Sequence, residues 1–249
     1  MPLSLQSNRQ PTMRQLQLIQ ALARYQNLSV VAENLHISQP SVSIQLKNLS
    51  ELIGLPVYQM QGRKLTLTDA GKAVLRSANT IFQSLDNLKT DIDNLQGVIT
   101  GTLLISVVTT AQYFLPLLLA AFAKKHPKVE IKLEIGNREK IQSRLLENSD
   151  DFYIFSNIPQ NVQVIETPFL ENEVVVVVPE NHELAQFPKV SLTRLSHYPF
   201  ILREAGSGTR EYTVELFKQH GLILNEKMTI ASSEAIKQAV AAGLGISVL

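Results

Sequence analysis

Residues 27–53, NLSVVAENLHISQPSVSIQLKNLSELI, predict two short helices joined by a tight turn. Ser29 is a candidate N-cap for the first helix, and residues 36–38 break its apolar period. Ser38 is a favoured N-cap for the second helix, and Pro40 suits the first turn, where a backbone N–H is not needed. In the second helix, apolar side chains recur every three or four residues and form one stripe: Val42, Leu46, Leu49 and Ile53.

The opposite face of the second helix is short, polar and nearly free of acidic side chains. Such a face can present hydrogen-bond donors and acceptors to base edges when the N-terminal half of the helix lies in a DNA major groove. An ordinary solvated helix face has the same composition, so the face alone leaves both interpretations open. Its members are Gln39, Ser41, Ser43, Gln45, Lys47 and Asn48.

A short β-hairpin is predicted directly after the helix pair. The β-prone runs 57–60 and 64–67 flank Gln61 and Gly62, and Arg63 and Lys64 beside this turn can meet phosphates. Residues 1–68 contain six Lys or Arg against two acids, whereas residues 100–249 contain 14 basic and 16 acidic side chains. The net charge of +1 therefore conceals a basic N-terminal part, as expected if only this part meets nucleic acid.

The residues that follow make a family resemblance specific. The run 38–43, SQPSVS, with Leu46, Leu49 and Gly54, and the run 67–71, LTDAG, resemble the winged helix-turn-helix of LysR-type transcriptional regulators from about Thr12 to Gly71 without a gap. This chain has Met60 where the family usually has a basic residue. The residues predicted to contact DNA are Ser38, Gln39, Pro40, Ser41, Ser43, Gln45, Lys47, Arg63 and Lys64.

Length and composition exclude several protein classes. The 249 residues allow one or two domains plus a connector, and a hydrophobic share of 45% is sufficient for a core. The absence of cysteine excludes disulfides and thiolate metal ligands, which fits a reducing cytoplasm. No apolar run has the length of a signal peptide or a membrane span. We therefore expect a cytoplasmic protein without a membrane partner.

Catalytic motifs are also missing from the sequence. The five histidines form neither an HExxH motif nor a pair at metal-ligand spacing. There is no GxSxG motif, and no cysteine can act as a nucleophile. The sequence therefore predicts neither enzymatic activity nor a metal or other cofactor.

A long helix is predicted over residues 69–96, about 42 Å at 1.5 Å per residue. Its narrow heptad stripe fits one partner helix, either in the same chain or in a second copy. No other segment has a matching pattern, which favours self-association, and the resemblance implies the linker helix through which the family dimerises and forms dimers of dimers. The stripe comprises Val74, Ala78, Ile81, Leu85, Leu88, Ile92 and Leu95.

Strands and helices alternate after residue 101, which predicts α/β architecture. The expected domains are a disordered N-terminus (1–11), a winged helix-turn-helix head (12–68), a linker helix (69–96), a hinge (97–101) and an effector-binding domain (102–249). The resemblance implies that this last domain is a two-lobed sensor like periplasmic binding proteins. Residues 246–249 look like the start of a strand, so we expect a sensor truncated at its C-terminus.

Polar residues at three predicted strand-to-helix junctions could bind an anion. Thr109 and Thr110 follow the first sensor strand, and residues 206–210, GSGTR, open a later helix. Helix capping explains the threonines equally well, and Arg210 could instead form a surface salt bridge. Residues expected to bind the ligand are Thr109, Thr110, Asn137, Asn157, Ser207, Thr209 and Arg210.

Several runs in the sensor resemble one subgroup of the family, the regulators of carbon dioxide fixation and inorganic-carbon uptake. These runs are 109–116, 136–139, 203–210 and 234–239. The resemblance implies a transcriptional regulator whose effector is a small anion such as a sugar phosphate, phosphoglycolate or 2-oxoglutarate. Its other implied partners are double-stranded DNA, a second copy of the chain and RNA polymerase. The alternatives are a LysR-type regulator of another pathway and a solute-binding transport protein.

Overall fold

The computed structural model describes residues 10–61, 64–95, 99–159 and 162–249. Two compact units make up the chain. The first comprises Met1–Ile105, Leu117–Lys132 and Arg144–Phe152, and the second comprises Ser106–Pro116, Leu133–Ser143 and Tyr153–Leu249. The predicted disordered segment lies largely outside the described residues.

The head consists of three helices and a hairpin. The helices are α1 (Met13–Tyr25), α2 (Leu28–Asn34) and α3 (Gln39–Ile53), and the hairpin strands are β1 (Tyr58–Gln61) and β2 (Lys64–Leu67). Thr12 and Gln15 form a reciprocal capping box at α1, and the Ser38 side chain accepts a hydrogen bond from the Ser41 N–H. The predicted cap of α2 is corrected, because the Asn27 side chain, and not Ser29, accepts from the first N–H groups.

Burial of the predicted apolar stripe holds α3 in the head. Val42, Leu46 and Leu49 are fully buried against α1, whereas Ile53 is half-buried. The hairpin is antiparallel, with Tyr58 opposite Leu67. Of the predicted turn, Gln61 is the last residue of β1, and Gly62 lies outside the described part of the chain. The helix pair and the hairpin thus agree with the sequence-based prediction.

The long helix α4 spans Asp69–Leu95, and its two halves differ in environment. In the first half Val74, Leu75 and Ala78 are buried in the head core. Gly71 is required there, because a Cβ at this position would lie 1.9 Å from the Val57 carbonyl oxygen. Val74 and Ala78 are therefore occupied within the chain, which corrects their assignment to a seam between two chains. The exposed part of the stripe is Ile81, Leu85, Leu88, Ile92 and Leu95.

Polar contacts within the first unit hold α4 against residues 147–151. The Asn79 amide donates to the Glu147 carbonyl oxygen at 2.6 Å, and the Gln83 amide donates to the Asp151 carboxylate at 2.6 Å. Asp151 also accepts from the Leu104 N–H at 2.8 Å. No local sequence pattern predicts these contacts, because the two partners of each hydrogen bond are 47 or 68 residues apart along the chain. Two residues of the predicted hinge, 97 and 98, lie outside the described residues.

The α/β part begins with a three-stranded sheet in the order β4-β3-β5. The first strand is the central strand of this sheet, and a 3₁₀ turn over Thr109–Tyr113 follows it. Strands and helices alternate along this part of the chain, as predicted. These elements are β3 (Gly101–Val108), α5 (Leu115–Lys125), β4 (Val129–Gly136), α6 (Arg138–Leu146) and β5 (Phe152–Ile154).

The remaining elements all belong to the second unit. The described strands of this unit pair as parallel β7 with β8 and antiparallel β6 with β9. Phe200 and Phe217 pack edge to face at 5.4 Å in the core of this unit. Across the described residues, no helix is both long and apolar enough to span a membrane. The elements are β6 (Val176–Val177), α7 (Leu192–Leu195), β7 (Phe200–Leu202), α8 (Gly208–Gln219), β8 (Glu226–Thr229), α9 (Ser233–Ala241) and β9 (Ser247–Val248).

Candidate functional site

The outward face of α3 is the first candidate site. Gln39, Ser41 and Lys47 are exposed as predicted, whereas Ser43 and Gln45 are half-buried and less available to a ligand. Pro40 and Asn48 are also exposed, and the Ser38 hydroxyl lies 2.8 Å from the Ser41 hydroxyl while it caps the helix. This surface offers amide, hydroxyl and ammonium groups from the first turns of a helix, which suits the edges of base pairs.

Two features of the head modify the predicted DNA-contacting set. Ile44 is 58% exposed in the middle of the outward face of α3. The apolar periodicity of the sequence does not single this residue out, because it lies off the buried stripe. Met60 on β1 is also exposed. Arg63 and the side chain of Lys64 lie outside the described residues, so their contribution stays a prediction from the sequence.

A cavity of about 670 Å³ in the second unit is the second candidate site. It brings together six of the seven residues predicted to bind a ligand, and Arg210 is absent from its lining. The polar residues that line the cavity at or near element ends are Thr109, Thr110, Asn137, Arg138, Ser156, Asn157, Ser207 and Thr209.

Two helices begin at this cavity. α6 follows Asn137, whose side-chain oxygen caps it by accepting from the Lys140 N–H at 3.0 Å. α8 follows Ser207, which is buried and makes no capping hydrogen bond with its side chain. The Glu139 N–H of α6 is also occupied, because it donates to the Gly206 carbonyl oxygen at 3.1 Å, whereas no side chain caps the first N–H groups of α8. The helix dipole adds positive potential at both helix N-termini. This end of the cavity therefore favours a negatively charged group.

Arg138 adds a formal positive charge to the same wall. One terminal guanidinium nitrogen donates to the Glu211 carboxylate at 2.6 Å, and Glu211 also lines the cavity. The Arg138 Nε is buried and has no hydrogen-bond partner among the described residues. The sequence analysis did not include Arg138 among the residues expected to bind the ligand, because nothing in a single sequence distinguishes this arginine from one on the surface.

A buried arginine that the sequence analysis did not single out is hydrogen-bonded to a residue of the cavity wall. Arg203 is 3% exposed and donates to the Glu204 carboxylate at 2.8 Å, the Ser233 hydroxyl at 2.8 Å and the Thr109 hydroxyl at 3.3 Å. Burial raises the pKa of Glu204, but hydrogen bonds from Arg203 and Asn137 outweigh it and leave the pKa lowered. This network fixes Thr109 and Asn137 at the cavity wall and keeps Glu204 ionised.

Arg210, which the sequence analysis expected to bind the ligand, is not in the lining of this cavity. Its guanidinium forms a two-pronged ion pair with Glu226 at 2.8 and 2.9 Å and donates to the Arg203 carbonyl oxygen at 3.1 Å. Successive helical residues are rotated by about 100°, so Arg210 points elsewhere than Thr209, which does line the cavity. The salt-bridge alternative for Arg210 is therefore the one observed.

This ion pair predicts a small, pH-dependent contribution to stability. The hydrogen bond from Arg210 is the main cause of the lowered pKa of Glu226. A carboxylate with a lowered pKa stabilises the fold above its unfolded-state pKa and loses that effect as the pH falls through the folded-state pKa. Because both side chains are partly exposed, we expect Glu226→Gln to reduce the free energy of unfolding by at most ~1 kcal/mol near neutrality.

Urea unfolding from about pH 7 down to about pH 3.5 checks this prediction. The difference between wild type and Glu226→Gln should shrink as the pH falls below 4.5, the ordinary pKa of a glutamate. Glu215→Gln is the matched control, because Glu215 forms a loose exposed pair with Lys218 at 3.9 Å and accepts from the Gln219 amide at 3.2 Å, without a two-pronged arginine contact. Equal stability of Glu226→Gln and wild type at neutrality would contradict the prediction.

Metal chemistry finds no support in the described residues, where no group of three or more His, Asp or Glu side chains could hold an ion. The chemical groups that line the cavity are hydroxyls, amides, the guanidinium of Arg138 and the carboxylates of Glu211 and Glu215.

Known proteins resemble this chain over its full described extent. Residues 13–72 match the bacterial regulatory helix-turn-helix protein of the lysR family, and residues 96–249 match the LysR substrate binding domain. The HTH-type transcriptional activator CmpR of Synechocystis sp. is 44% identical over 238 residues, or 96% of this chain and 78% of that protein. A RuBisCO operon transcriptional regulator of Acidithiobacillus ferrooxidans is 41% identical over 243 residues, or 98% of this chain and 79% of that protein.

A solved structure agrees with these relatives. The regulatory domain of Synechocystis PCC6803 CcmR, in complex with 2-PG, is 42% identical with a TM-score of 0.58, over 59% of this chain and 71% of that one. The resemblance to regulators linked to carbon fixation, predicted from the sensor runs, is confirmed by the names of these relatives. The chain belongs to the LysR family of transcriptional regulators.

Proposed function

We propose that this protein regulates genes of carbon dioxide fixation or inorganic-carbon uptake in response to a small anionic metabolite. The pathway is supported by the RuBisCO operon regulator and by CmpR, which are 41% and 44% identical to the chain. A LysR-type regulator of an unrelated pathway is the alternative. The observation that supports anion sensing is the convergence of two helix N-termini, Ser207 and Arg138 on one cavity.

The effector that fits this cavity has a phosphate or a carboxylate group. Arg138 can donate to such a group through its unpartnered Nε, and Ser207 can donate its uncapped hydroxyl. A dianion also competes with Glu211 for the terminal nitrogens of Arg138. Effector binding therefore breaks the ion pair between Arg138 and Glu211. The relative that binds 2-PG makes that compound the first to test.

Titration calorimetry of the full chain tests the proposal. The panel contains 2-PG, a sugar bisphosphate, 2-oxoglutarate and, as a neutral control, the unphosphorylated sugar. We expect at least one anion to bind and the neutral sugar not to bind. Binding of none of the anions would refute the anion-sensing proposal.

DNA recognition by α3 leads to a separate prediction. Gln39 is exposed at the first position of α3, where its side-chain amide can pair with an adenine edge. We expect Gln39→Ala to reduce discrimination at one base pair of each half-site by ~1–3 kcal/mol, while affinity for unrelated DNA changes little. A competition shift assay over single-base variants of the operator measures this, and unchanged discrimination at every position would contradict it.

Four further proposals complete this function. The domain boundaries and the two-lobed sensor like periplasmic binding proteins stay as predicted from the sequence. Self-association through α4 should place two heads on two half-sites of one duplex, in dimers or dimers of dimers.

Action on chromosomal DNA implies a cytoplasmic protein that contacts RNA polymerase. A regulator of this kind requires no enzymatic activity.

A further inference from the structure

Ile44 is the one large aliphatic side chain on the outward face of the described α3. It is 58% exposed and belongs neither to the buried core of the head nor to the half-buried shell around that core. The packing of α3 is already provided by Val42, Leu46 and Leu49, all fully buried. Ile44 is therefore not explained by the stability of the head.

The position of Ile44 on the helix is specific. Ser41 lies three residues before it and Asn48 four residues after it, so these side chains share one face. Ile44 lies in the second turn of a helix that begins at Gln39, within the half that enters the major groove in helix-turn-helix proteins. A branched apolar side chain is thus flanked by hydrogen-bonding groups on the surface proposed to read DNA.

Base-pair chemistry limits what such a side chain can contact. An isoleucine has no donor or acceptor, so it cannot bind the polar edges of guanine, cytosine or adenine, and it gains nothing from phosphates. The C5-methyl group of thymine is the apolar group that the major groove displays. A lone side chain also offers far less area than a stable protein–protein interface requires.

We propose that Ile44 is a specificity-determining residue that packs on a thymine methyl group in each half-site. This inference rests on the proposed DNA-binding function and adds a base identity to it. Contact with the methyl group removes apolar surface of both partners from water, which favours thymine over cytosine and over uracil at that position.

The test uses the full chain and an operator that is first identified by selection. In this selection, the chain binds its preferred duplexes from a pool of random DNA sequences. In the selected operator, each thymine of one half-site is replaced in turn by deoxyuridine, which removes only the methyl group. Affinities are measured by fluorescence anisotropy at one fixed salt concentration. We expect one replacement to weaken wild-type binding about three- to tenfold. Ile44→Ala should weaken binding to the thymine operator by a similar factor and make no distinction between thymine and uracil there.

Three variants serve as controls. Leu55→Ala removes an exposed aliphatic side chain beyond the end of α3 and should keep the wild-type sensitivity to deoxyuridine. Ile44→Val retains the branched methyl groups and should keep most of that sensitivity. Gln39→Ala should change discrimination at another base pair and leave the methyl effect intact. Circular dichroism of Ile44→Ala should match wild type, because the side chain is not in the core.

The outcomes separate this inference from the function on which it rests. If Ile44→Ala distinguishes thymine from uracil as wild type does, or if no single replacement weakens wild-type binding, the methyl contact is wrong while DNA binding stands. If Ile44→Ala alters the oligomeric state instead, Ile44 is a protein contact and the inference is wrong. If the chain selects no sequence from the pool, the proposed DNA recognition fails together with it.

Discussion

A Leu85→Asp variant is expected to lose self-association almost completely while its head remains folded. Leu85 is 48% exposed on α4, at the centre of a stripe that continues through Ile81, Leu88 and Ile92. An aspartate there would be buried without a partner when two stripes pair. The penalty of several kcal/mol per unpaired buried ion corresponds to at least ~100-fold weaker association.

Folding of the head provides the internal check for this variant. The buried residues of α4 in the head core are Val74, Leu75 and Ala78, and all of them lie at least seven residues before Leu85. Phe82 is partly buried against the same core and is left unchanged in this variant. The thermal unfolding of the head should therefore change little. Asn87→Asp is the matched control, because it adds the same charge to α4 at an exposed position off the stripe.

Sedimentation equilibrium or light scattering at micromolar concentration distinguishes the variants. Wild type and Asn87→Asp should be dimers or larger, and Leu85→Asp should be a monomer. Operator binding should weaken in parallel, because two linked heads bind two half-sites far more tightly than one head binds one. An unchanged oligomer in Leu85→Asp would show that α4 does not provide the interface.

Local sequence signals were sufficient for most of the secondary structure. Capping residues and periodicity placed α3 and the hairpin within a residue or two, because these signals act between neighbours in the chain. They also placed six residues at the cavity, since polar groups at successive strand-to-helix junctions converge in α/β folds. The cap of α2 was misassigned, because Asn27 and Ser29 are both good caps and only geometry decides between them.

Tertiary contacts explain the larger corrections. A heptad stripe does not reveal where its partner lies, so the sequence predicts a second chain as the partner of Val74 and Ala78, although the core of the same head buries them. A single sequence likewise cannot distinguish three arginines near the cavity. Arg203 is hydrogen-bonded within a buried network, and Arg210 forms an ion pair with Glu226. Arg138 is the arginine that lines the cavity, and its Nε has no hydrogen-bond partner among the described residues.

Arg138→Ala should therefore weaken effector binding about 10- to 100-fold, since a hydrogen bond to a charged group contributes ~1.5–3 kcal/mol. Titration calorimetry with 2-PG measures the change, or with the tightest anion of the panel if that is another compound. Arg138→Lys keeps the charge but not the planar fork and should fall between wild type and Arg138→Ala. Arg210→Ala is the matched control, because it removes an arginine that is paired with Glu226 and does not line the cavity.

A second variant at the same ion pair should act in the opposite direction. Glu211→Gln removes the carboxylate that holds a terminal nitrogen of Arg138 at 2.6 Å, so an effector anion no longer competes with it. We expect a tighter complex by a few-fold, a modest gain because Glu211 is about half exposed and its charge is screened by solvent. A merely structural role for Arg138 would make both variants bind worse. Opposite signs for Arg138→Ala and Glu211→Gln, with Arg210→Ala unchanged, would identify Arg138 as the residue that holds the anion.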